Sequence, residues 1–385
     1  MPPTPLVDAG VCLEGGDRSR GIDGSKGRAP SPSPRPSEVL SSPSSSARLG
    51  GDRRPAVARP GGEAMQSTEP SAPAGVAFGP VRGDALGTTH RPFRYFSRDG
   101  LALAGRDYPP ARPTDRPPVV CLPGLTRNGA DFEPAARRLT AGAEGSPARQ
   151  VVTVDFRGRG ASQWDADPAR YTILQELDDT LLGLDLLGID RFTAFGTSRG
   201  GLVTMIAGLV APGRVTTAVL NDIGPVIELD GLLLIKQYLG RPLPEHIGWS
   251  DLVDARVHVN RPDYPNLDRA GFERLAHRLC RDVDGRPVLD YDPRLADGFA
   301  AITAENPPAD LWEPFASLAG IPTLVVRGTL SRLLSAETVA AMAARHPRLE
   351  VLEVPDEGHP PLFDDDVPGD RSVAALVAFL DRVGA

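Results

Sequence analysis

Hydrophobic and polar positions follow two alternating periods from about residue 93 to the end of the chain. Short apolar runs bounded by glycine, proline or polar residues predict strands at 118–122, 151–155, 191–195, 216–220, 323–327 and 349–354. Between these runs, apolar residues recur every three or four positions, which predicts helices with one buried face. Thr172 and Gln175 form a capping box that predicts the start of one helix. Strands that alternate with helices are typical of an α/β fold, with a mostly parallel sheet and helices on both faces.

The ends of this pattern carry further elements. Segments 93–97 and 101–105 suit an antiparallel pair of strands that leads into the sheet, and segments 335–346 and 372–383 suit two helices. Between Gly224 and Gly320 the alternation stops, and helical fragments are separated by turns rich in proline and aspartate. The pattern therefore predicts a core formed by 91–223 and 321–385, with a helical cap inserted at 224–320.

The first ninety residues differ from the rest in composition. Segment 31–46 is dominated by serine and proline and contains few apolar residues to offset the entropy of ordering. We expect residues 1–90 to be a disordered tail. Met65 lies inside it, so a start codon assigned too far upstream is an alternative to a functional tail.

Charge and composition narrow the class of partner. The chain has 385 residues and a formal net charge of −8, which argues against binding to nucleic acid. Its three cysteines and six histidines are widely scattered, so we expect neither a disulfide framework nor a metal site, and no organic cofactor. No apolar run has the length of a membrane span, and the N-terminus lacks a secretory pattern. We expect a cytoplasmic protein with a small-molecule substrate and no membrane partner; the sequence does not indicate an oligomeric state.

The strongest candidate for chemistry is a Gly-x-Ser-x-Gly motif at 196–200. It lies between a predicted strand and a predicted helix, as a nucleophile elbow requires. A serine hydroxyl is a poor nucleophile unless it is exposed beside a base and near a helix N-terminus. Gly196 and Gly200 lack the Cβ atoms that would collide in so tight a turn. The motif predicts Ser198 as a catalytic nucleophile.

Two other loops have the chain order that this chemistry needs. The loop after strand 118–122 places Leu125 where its backbone N–H can donate to an oxyanion, and the N–H of Arg199, just after the serine, can supply the second donor. His359 follows the last predicted strand. A serine first and a histidine last is one of the known orders of a catalytic triad, so we predict His359 as the base.

With these motifs the chain from about residue 93 resembles a capped α/β-hydrolase of the serine-nucleophile branch, which holds C–C bond hydrolases, enol-lactonases and small esterases. The motifs that carry the resemblance are 123–128, 155–162, 196–201, 220–225 and 358–359. The resemblance implies a mostly parallel eight-stranded sheet with helices on both faces and a helical cap. Ser198 separates the chain from epoxide hydrolases and haloalkane dehalogenases, which carry aspartate at that position.

One residue departs from the family pattern. The family's usual acid follows the strand that corresponds to 323–327, but Arg332 stands there. Without a carboxylate, the histidine loses the group that fixes its tautomer and stabilises its charged form. The best substitute is Asp222, which follows the neighbouring strand; the alternative is that Asp222 is a structural residue of its turn. Asp356 and Glu357 are close to His359 in sequence, but near neighbours seldom aim back at the ring.

Arginines and aromatic residues near the strand ends leave two interpretations open. Arg127, Arg157 and Arg199 belong to loops that should converge where ligands bind in open α/β sheets. They form either a clamp for a carboxylate-bearing substrate, for which Arg127 is our choice, or local ties to neighbouring acids. Four aromatic residues line a pocket or pack in the core: Trp164, Tyr238, Trp249 and Trp312.

These observations predict a serine hydrolase that acts on an ester, a lactone or an activated C–C bond. The competing hypothesis is a catalytically impaired relative that binds a small ligand under its cap, with Arg332 as the sign of lost activity.

Overall fold

The computed structural model describes residues 75–83, 87–367 and 370–385. Residues 1–74 of the predicted tail lie outside the described residues. Within residues 75–90 of the predicted tail, two short strands pair with the first long strand and Val76 is buried.

Ten strands of the described chain form one twisted sheet, and two more form a separate hairpin. The strands are β1 Ala77–Phe78, β2 Arg82–Gly83, β3 Thr89–Phe96, β4 Ala102–Tyr108, β5 Val119–Leu122, β6 Val151–Asp155, β7 Phe192–Thr197, β8 Val215–Asn221, β9 Cys280–Val283, β10 Arg286–Leu289, β11 Thr323–Gly328 and β12 Leu349–Val354. The long strands of the sheet lie in the order β3-β4-β6-β5-β7-β8-β11-β12. The six from β6 to β12 are parallel, and β3 and β4 are antiparallel. The predicted eight-stranded, mostly parallel sheet is confirmed, with β1 and β2 as additions at its edge.

Helices connect the parallel strands and cover the sheet. They are α1 Glu133–Ala141, α2 Ile173–Leu186, α3 Arg199–Val210, α4 Leu229–Tyr238, α5 Trp249–Asn260, α6 Arg269–Leu279, α7 Trp312–Ala316, α8 Ala336–Arg345 and α9 Ser372–Val383, with single 3-10 segments at Gly129–Phe132, Pro168–Arg170 and Pro293–Phe299. Thr172 caps α2 as predicted, since its side chain accepts a hydrogen bond from the Gln175 N–H, but the return bond of a capping box is not made, because the Thr172 N–H donates to the Arg170 carbonyl.

The central strand β5 shows how the sheet divides its core. Side chains on a strand alternate between its two faces. Val120 and Leu122 pack in the cluster that contains side chains of α2, α3 and α8, whereas Val119 and Cys121 pack in the cluster that contains side chains of α1 and α9. Since both faces are covered, all four β5 residues are buried, as the continuous apolar run predicts.

Residues 224–320, the segment in which a cap is predicted, contain no strand of the main sheet. Helices α4, α5 and α6 and the β9–β10 hairpin lie in this segment. A separate apolar cluster forms here around Leu252, Phe272 and Leu275. The hairpin and α5 were not predicted. The final part of the segment belongs with the sheet, because Phe315 and Leu318 pack in the α2 and α3 cluster.

Among the residues that the structure describes, no helix has the length and apolar character needed to cross a membrane.

Candidate active site

Ser198 lies on a sharp turn between β7 and α3. Its backbone has φ 49° and ψ −112°, a conformation that non-glycine residues rarely adopt. The Ser198 N–H donates to the Asn221 carbonyl oxygen at 2.9 Å, which links the turn to the end of β8. A side chain at Gly200 would overlap the Leu122 carbonyl, and one at Gly196 would overlap the backbone of Gly200. The predicted elbow geometry is therefore present, with both glycines required by close backbone approach.

Ser198, His359 and Asp222 form a continuous hydrogen-bonded chain. His359 Nε2 lies 3.0 Å from Ser198 Oγ, and His359 Nδ1 lies 2.8 Å from Asp222 Oδ2. Asp222 is fully buried, and the His359 side chain is 14% exposed. Since a carboxylate only accepts hydrogen bonds, it places the imidazole proton on Nδ1 and leaves Nε2 to accept from the serine hydroxyl. The three predicted residues come together in the order that general-base activation of a serine requires.

The loop after β11 completes the surroundings of Asp222. Its Oδ1 accepts from the Gly328 N–H at 3.0 Å, and its Oδ2 accepts from the Ser331 hydroxyl at 2.5 Å. In the family pattern this loop carries the acid; here it donates two hydrogen bonds to an acid on the neighbouring strand. The contacts satisfy a buried carboxylate that would otherwise be costly to place there.

The loop that carries His359 is held from three sides. Asn221 Nδ2 donates to the Pro361 carbonyl at 3.0 Å, and the Tyr264 hydroxyl donates to the Pro360 carbonyl at 2.9 Å. Gly328 packs so closely on this loop that a side chain there would overlap the carbonyl of Gly358. These contacts fix the position of the imidazole ring relative to Ser198.

The two acids next to His359 in sequence point elsewhere. Asp356 is exposed and accepts from Asn266 Nδ2 at 3.3 Å. Glu357 is buried and accepts from the Leu362 N–H at 2.8 Å. Burial, together with nearby acids, raises the pKa of Glu357 to about 8. Neither contacts the histidine ring as Asp222 does.

Leu125 and Arg199, the predicted oxyanion donors, lie on either side of the elbow. Arg199 is the first residue of α3, so its N–H has no intrahelical partner and points out of the helix N-terminus. Leu125 lies on the loop after β5. The preceding residue, Gly124, is close to the serine, since a Cβ added to it would lie 3.9 Å from Ser198 Cβ. Helix N-termini and such loops stabilise negative charge.

Arg127, the predicted substrate-binding residue, is already occupied by a local acid. Its Nε and Nη2 donate to the two carboxylate oxygens of Asp131 at 2.5 and 2.9 Å, and its side chain is 4% exposed. Arg157 is likewise buried in a bidentate pair with Asp179. Of the two interpretations of these arginines, the contacts favour local ties to neighbouring acids over a substrate clamp, because both planar groups already pair with carboxylates.

A buried acid that the sequence analysis missed links the loops of the two predicted oxyanion donors. Glu176 Oε2 accepts from Arg199 Nε at 2.6 Å, and Glu176 Oε1 accepts from Arg159 Nη1 at 2.8 Å. Arg159 Nε in turn donates to the Leu125 carbonyl at 2.7 Å. Burial alone would raise the pKa of Glu176, but the two guanidinium groups outweigh it and lower that pKa. The sequence held a signal, since Glu176 lies on the apolar face of α2 beside Leu177.

A small cavity of about 40 Å³ opens beside His359. It is lined by Leu234, Ile235 and Tyr238 of α4 and by Asp263 and Arg332. Of the four aromatic residues left open by the sequence, Tyr238 alone is among its lining residues. The three tryptophans contact other groups: Trp164 faces Arg281, Trp249 stacks on His277, and Arg345 lies over Trp312.

The described residues contain no group of three or more metal-ligating side chains.

Comparisons with known proteins place this geometry in a family context. Residues 117–366 match the model of the alpha/beta hydrolase fold. The chain is 35% identical over 260 residues to a 3-hydroxybutyrate-oligomer hydrolase from Cupriavidus necator, covering 64% of this chain and 84% of that protein. It is 28% identical over 267 residues to a 2-(acetamidomethylene)succinate hydrolase from Mesorhizobium japonicum, covering 69% and 88%. A crystal structure of an alpha/beta hydrolase from Novosphingobium aromaticivorans matches with a TM-score of 0.69 and 39% identity, covering 76% of this chain and 99% of that one.

Proposed function

The chain belongs to the α/β-hydrolase fold family, and from this premise we propose that it is a serine hydrolase whose catalytic triad is Ser198, His359 and Asp222. The observation that supports the proposal most directly is the hydrogen-bonded chain from Ser198 Oγ through both nitrogens of His359 to Asp222, with distances of 3.0 and 2.8 Å. Its geometry is what proton transfer from serine to histidine needs.

The proposed reaction proceeds in two steps. His359 Nε2 takes the hydroxyl proton as Ser198 Oγ bonds to the substrate carbonyl carbon, and the N–H groups of Leu125 and Arg199 hold the resulting oxyanion. His359 then returns the proton to the leaving group, which departs and leaves an acyl-enzyme. A water molecule, activated by the same histidine, attacks the acyl carbon and releases the acid and the free serine.

The contact between Asp222 and His359 favours an enzyme over a non-catalytic ligand-binding protein. A ligand-binding relative without activity would lack a triad acid, as Arg332 in place of the usual aspartate suggests. With Asp222 hydrogen-bonded to Nδ1, the histidine keeps the orientation and charge stabilisation that a triad acid supplies.

An ester is the first candidate among the substrates. The 35% identical relative is named for oligomers of 3-hydroxybutyrate, and hydroxy acids joined head to tail are linked by esters. Lactones and compounds with an activated C–C bond are the other two candidate substrate classes. Cleavage of a C–C bond would not require an acyl-enzyme.

We also propose that the part of 224–320 that contains α4, α5, α6 and the hairpin acts as a cap. Three side chains of α4 line the cavity beside His359, and the Tyr264 hydroxyl holds the histidine loop. A cap in this position would exclude water from the reaction. A cavity of about 40 Å³ holds only a few water molecules, so substrate entry requires the lining side chains to move.

The proposal is tested by ester hydrolysis and active-site labelling of the purified protein. We expect p-nitrophenyl acetate or butyrate to be hydrolysed, and a fluorophosphonate probe to label Ser198, because that hydroxyl has both a base and oxyanion donors. Ser198→Ala should abolish hydrolysis and labelling. Ser250→Ala, at an exposed serine of α5, is the matched control and should retain both. Labelling that survives Ser198→Ala would contradict the assignment of the nucleophile.

A further inference from the structure

We propose that Arg332 is a substrate-binding residue that recognises a carboxylate group on the substrate; this inference rests on the function proposed above. Arg332, which replaces the acid expected in this loop, would then determine substrate specificity.

Arg332 lines the same cavity as His359. The apolar side chains of Leu234 and Ile235 of α4 also line it. Since the Arg332 side chain is 51% exposed while Leu333 is buried, Arg332 lies at the solvent side of this cavity. A substrate that reaches His359 through this cavity passes the guanidinium group.

The guanidinium has hydrogen-bonding capacity left for a ligand. Its nearest acid is Asp263, and the distance from Arg332 Nη2 to Asp263 Oδ1 is 3.8 Å, longer than a hydrogen bond. Arg127 and Arg157, by contrast, each donate two bonds to one carboxylate within 2.9 Å. An arginine with free N–H groups presents the planar fork that matches a carboxylate.

Asp263 is the acid beside this guanidinium, and it is buried whereas the Arg332 side chain is 51% exposed. Burial raises the pKa of the Asp263 carboxyl, against the opposing effect of the charges on Arg332 and His359. Since the two groups are 3.8 Å apart and form no hydrogen bond, the N–H groups of Arg332 stay available to a carboxylate that arrives from solvent.

The backbone of Arg332 is fixed next to the reaction site. The hydroxyl of the preceding residue, Ser331, donates a hydrogen bond to Asp222 Oδ2 at 2.5 Å. On the other side, Gly231 of α4 lies so close that a side chain there would overlap the Arg332 carbonyl. A charged group on a loop held from both sides can orient a substrate relative to Ser198.

The expected substrates are therefore short esters of which one end carries a carboxylate. The experiment compares two esters of equal chain length, p-nitrophenyl hemiglutarate, which carries a carboxylate, and p-nitrophenyl valerate, which is neutral. Wild-type protein should have the higher kcat/KM for the charged ester. Arg332→Gln should lower the ratio of charged to neutral kcat/KM by about tenfold to a hundredfold, the usual effect of a hydrogen bond to a charged group. Arg332→Lys should restore part of the ratio.

Arg98→Gln is the matched control, since it removes the same charge from a side chain that is 64% exposed and pairs with Asp178. It should leave the ratio unchanged. An unchanged ratio in Arg332→Gln, with hydrolysis of the neutral ester retained, would overturn the carboxylate site but not the hydrolase.

A binding measurement separates the two proposals if the wild-type protein cleaves neither ester. In the Ser198→Ala background, hemiglutarate ester binding is measured by calorimetry with and without Arg332→Gln. Loss of at least about tenfold in affinity supports the carboxylate site independently of turnover. Equal affinity in the two variants would contradict it.

Discussion

Ser198 and Asp222 both have positive φ angles, 49° and 55°, which residues other than glycine rarely adopt. Such conformations cost on the order of 1–3 kcal/mol each and persist where the surroundings enforce them. Here the enforcement comes from backbone hydrogen bonds: the Ser198 N–H donates to Asn221, and the Asp222 N–H donates to Val326 at 2.8 Å. The strain coincides with the two ends of the hydrogen-bonded chain through His359.

Glu176 allows a test of how the oxyanion loops are positioned. Because its carboxylate joins Arg199 to Arg159, and Arg159 holds the Leu125 carbonyl, we predict that Glu176→Gln lowers kcat by about tenfold or more with a smaller change in KM. The labelling rate with a fluorophosphonate should fall in parallel.

Glu176→Gln also removes the negative charge that pairs with Arg159 and Arg199. The loss of this pairing should lower the free energy of unfolding. Glu176→Asp, which keeps the charge and shortens the reach, is therefore measured beside it, with exposed Glu144→Gln as the control. A kcat unchanged in both folded Glu176 variants would show that this acid does not position the donors.

At the scale of elements, periodicity predicted most of the core. The apolar runs at 151–155 and 349–354 coincide with β6 and β12, and the helix predicted at 372–383 coincides with α9. β6 is buried throughout and α9 has one buried face, so their patterns are regular, whereas β12 alternates in sequence although only Val354 of it is buried. The missed strands, β1, β2 and the β9–β10 hairpin, are short edge or hairpin strands, whose pairing depends on neighbours rather than on a period.

The sequence predicts the parts of the site whose geometry is fixed by a local motif. It leaves undecided the contacts that depend on which strands are neighbours in the sheet. The Gly-x-Ser-x-Gly motif predicted the turn of Ser198, which depends on glycines a few residues away. The contact of Asp222 with His359 depends on β8 lying beside β11 and could only be left as an alternative. The pairing of Arg127 with Asp131 also depends on the local fold, because Arg127 lies in the loop before the 3-10 segment Gly129–Phe132.

The contact between α4 and the Arg332 loop gives a prediction at this scale. A methyl group at Gly231 would overlap the Arg332 carbonyl, so Gly231→Ala should shift α4 or the loop. We predict a loss of about 1–3 kcal/mol in the free energy of unfolding, measured in urea, together with lower kcat/KM.

Gly298→Ala is the matched control for this substitution. A Cβ added at Gly298 meets no atom within 4 Å, so its stability should change by much less. Equal stabilities of the two variants would contradict the close packing of α4 on the Arg332 loop.

At the scale of the whole molecule, buried Glu357 makes stability depend on pH. The folded-state pKa of about 8 lies above the ordinary value of 4.5, so the folded protein holds a proton that the unfolded chain releases between these values. The contribution of this group is fully present below pH 4.5 and is lost as pH rises through 8. We predict that Glu357→Gln, which keeps an oxygen to accept from the Leu362 N–H, flattens this decline.

The measurement is urea unfolding at pH 5.5 and pH 8. For each protein the free energy of unfolding is plotted against pH. The slopes for wild type and Glu357→Gln should differ by no more than about 1.4 kcal/mol per pH unit, the limit for one proton. Exposed Glu144→Gln should follow the wild-type curve. Parallel curves for wild type and Glu357→Gln would show that Glu357 is ionised in the folded protein.

The central claim is that a serine hydrolase of this family takes its triad acid from the end of β8. The most direct measurement is kcat of Asp222→Asn with p-nitrophenyl butyrate, with circular dichroism to confirm the fold. Asparagine can donate to Nδ1 and so favours the wrong tautomer of His359, leaving Nε2 unable to accept the serine proton. We predict a fall in kcat of at least about a hundredfold with the fold intact; a folded Asp222→Asn variant with wild-type kcat would contradict the account.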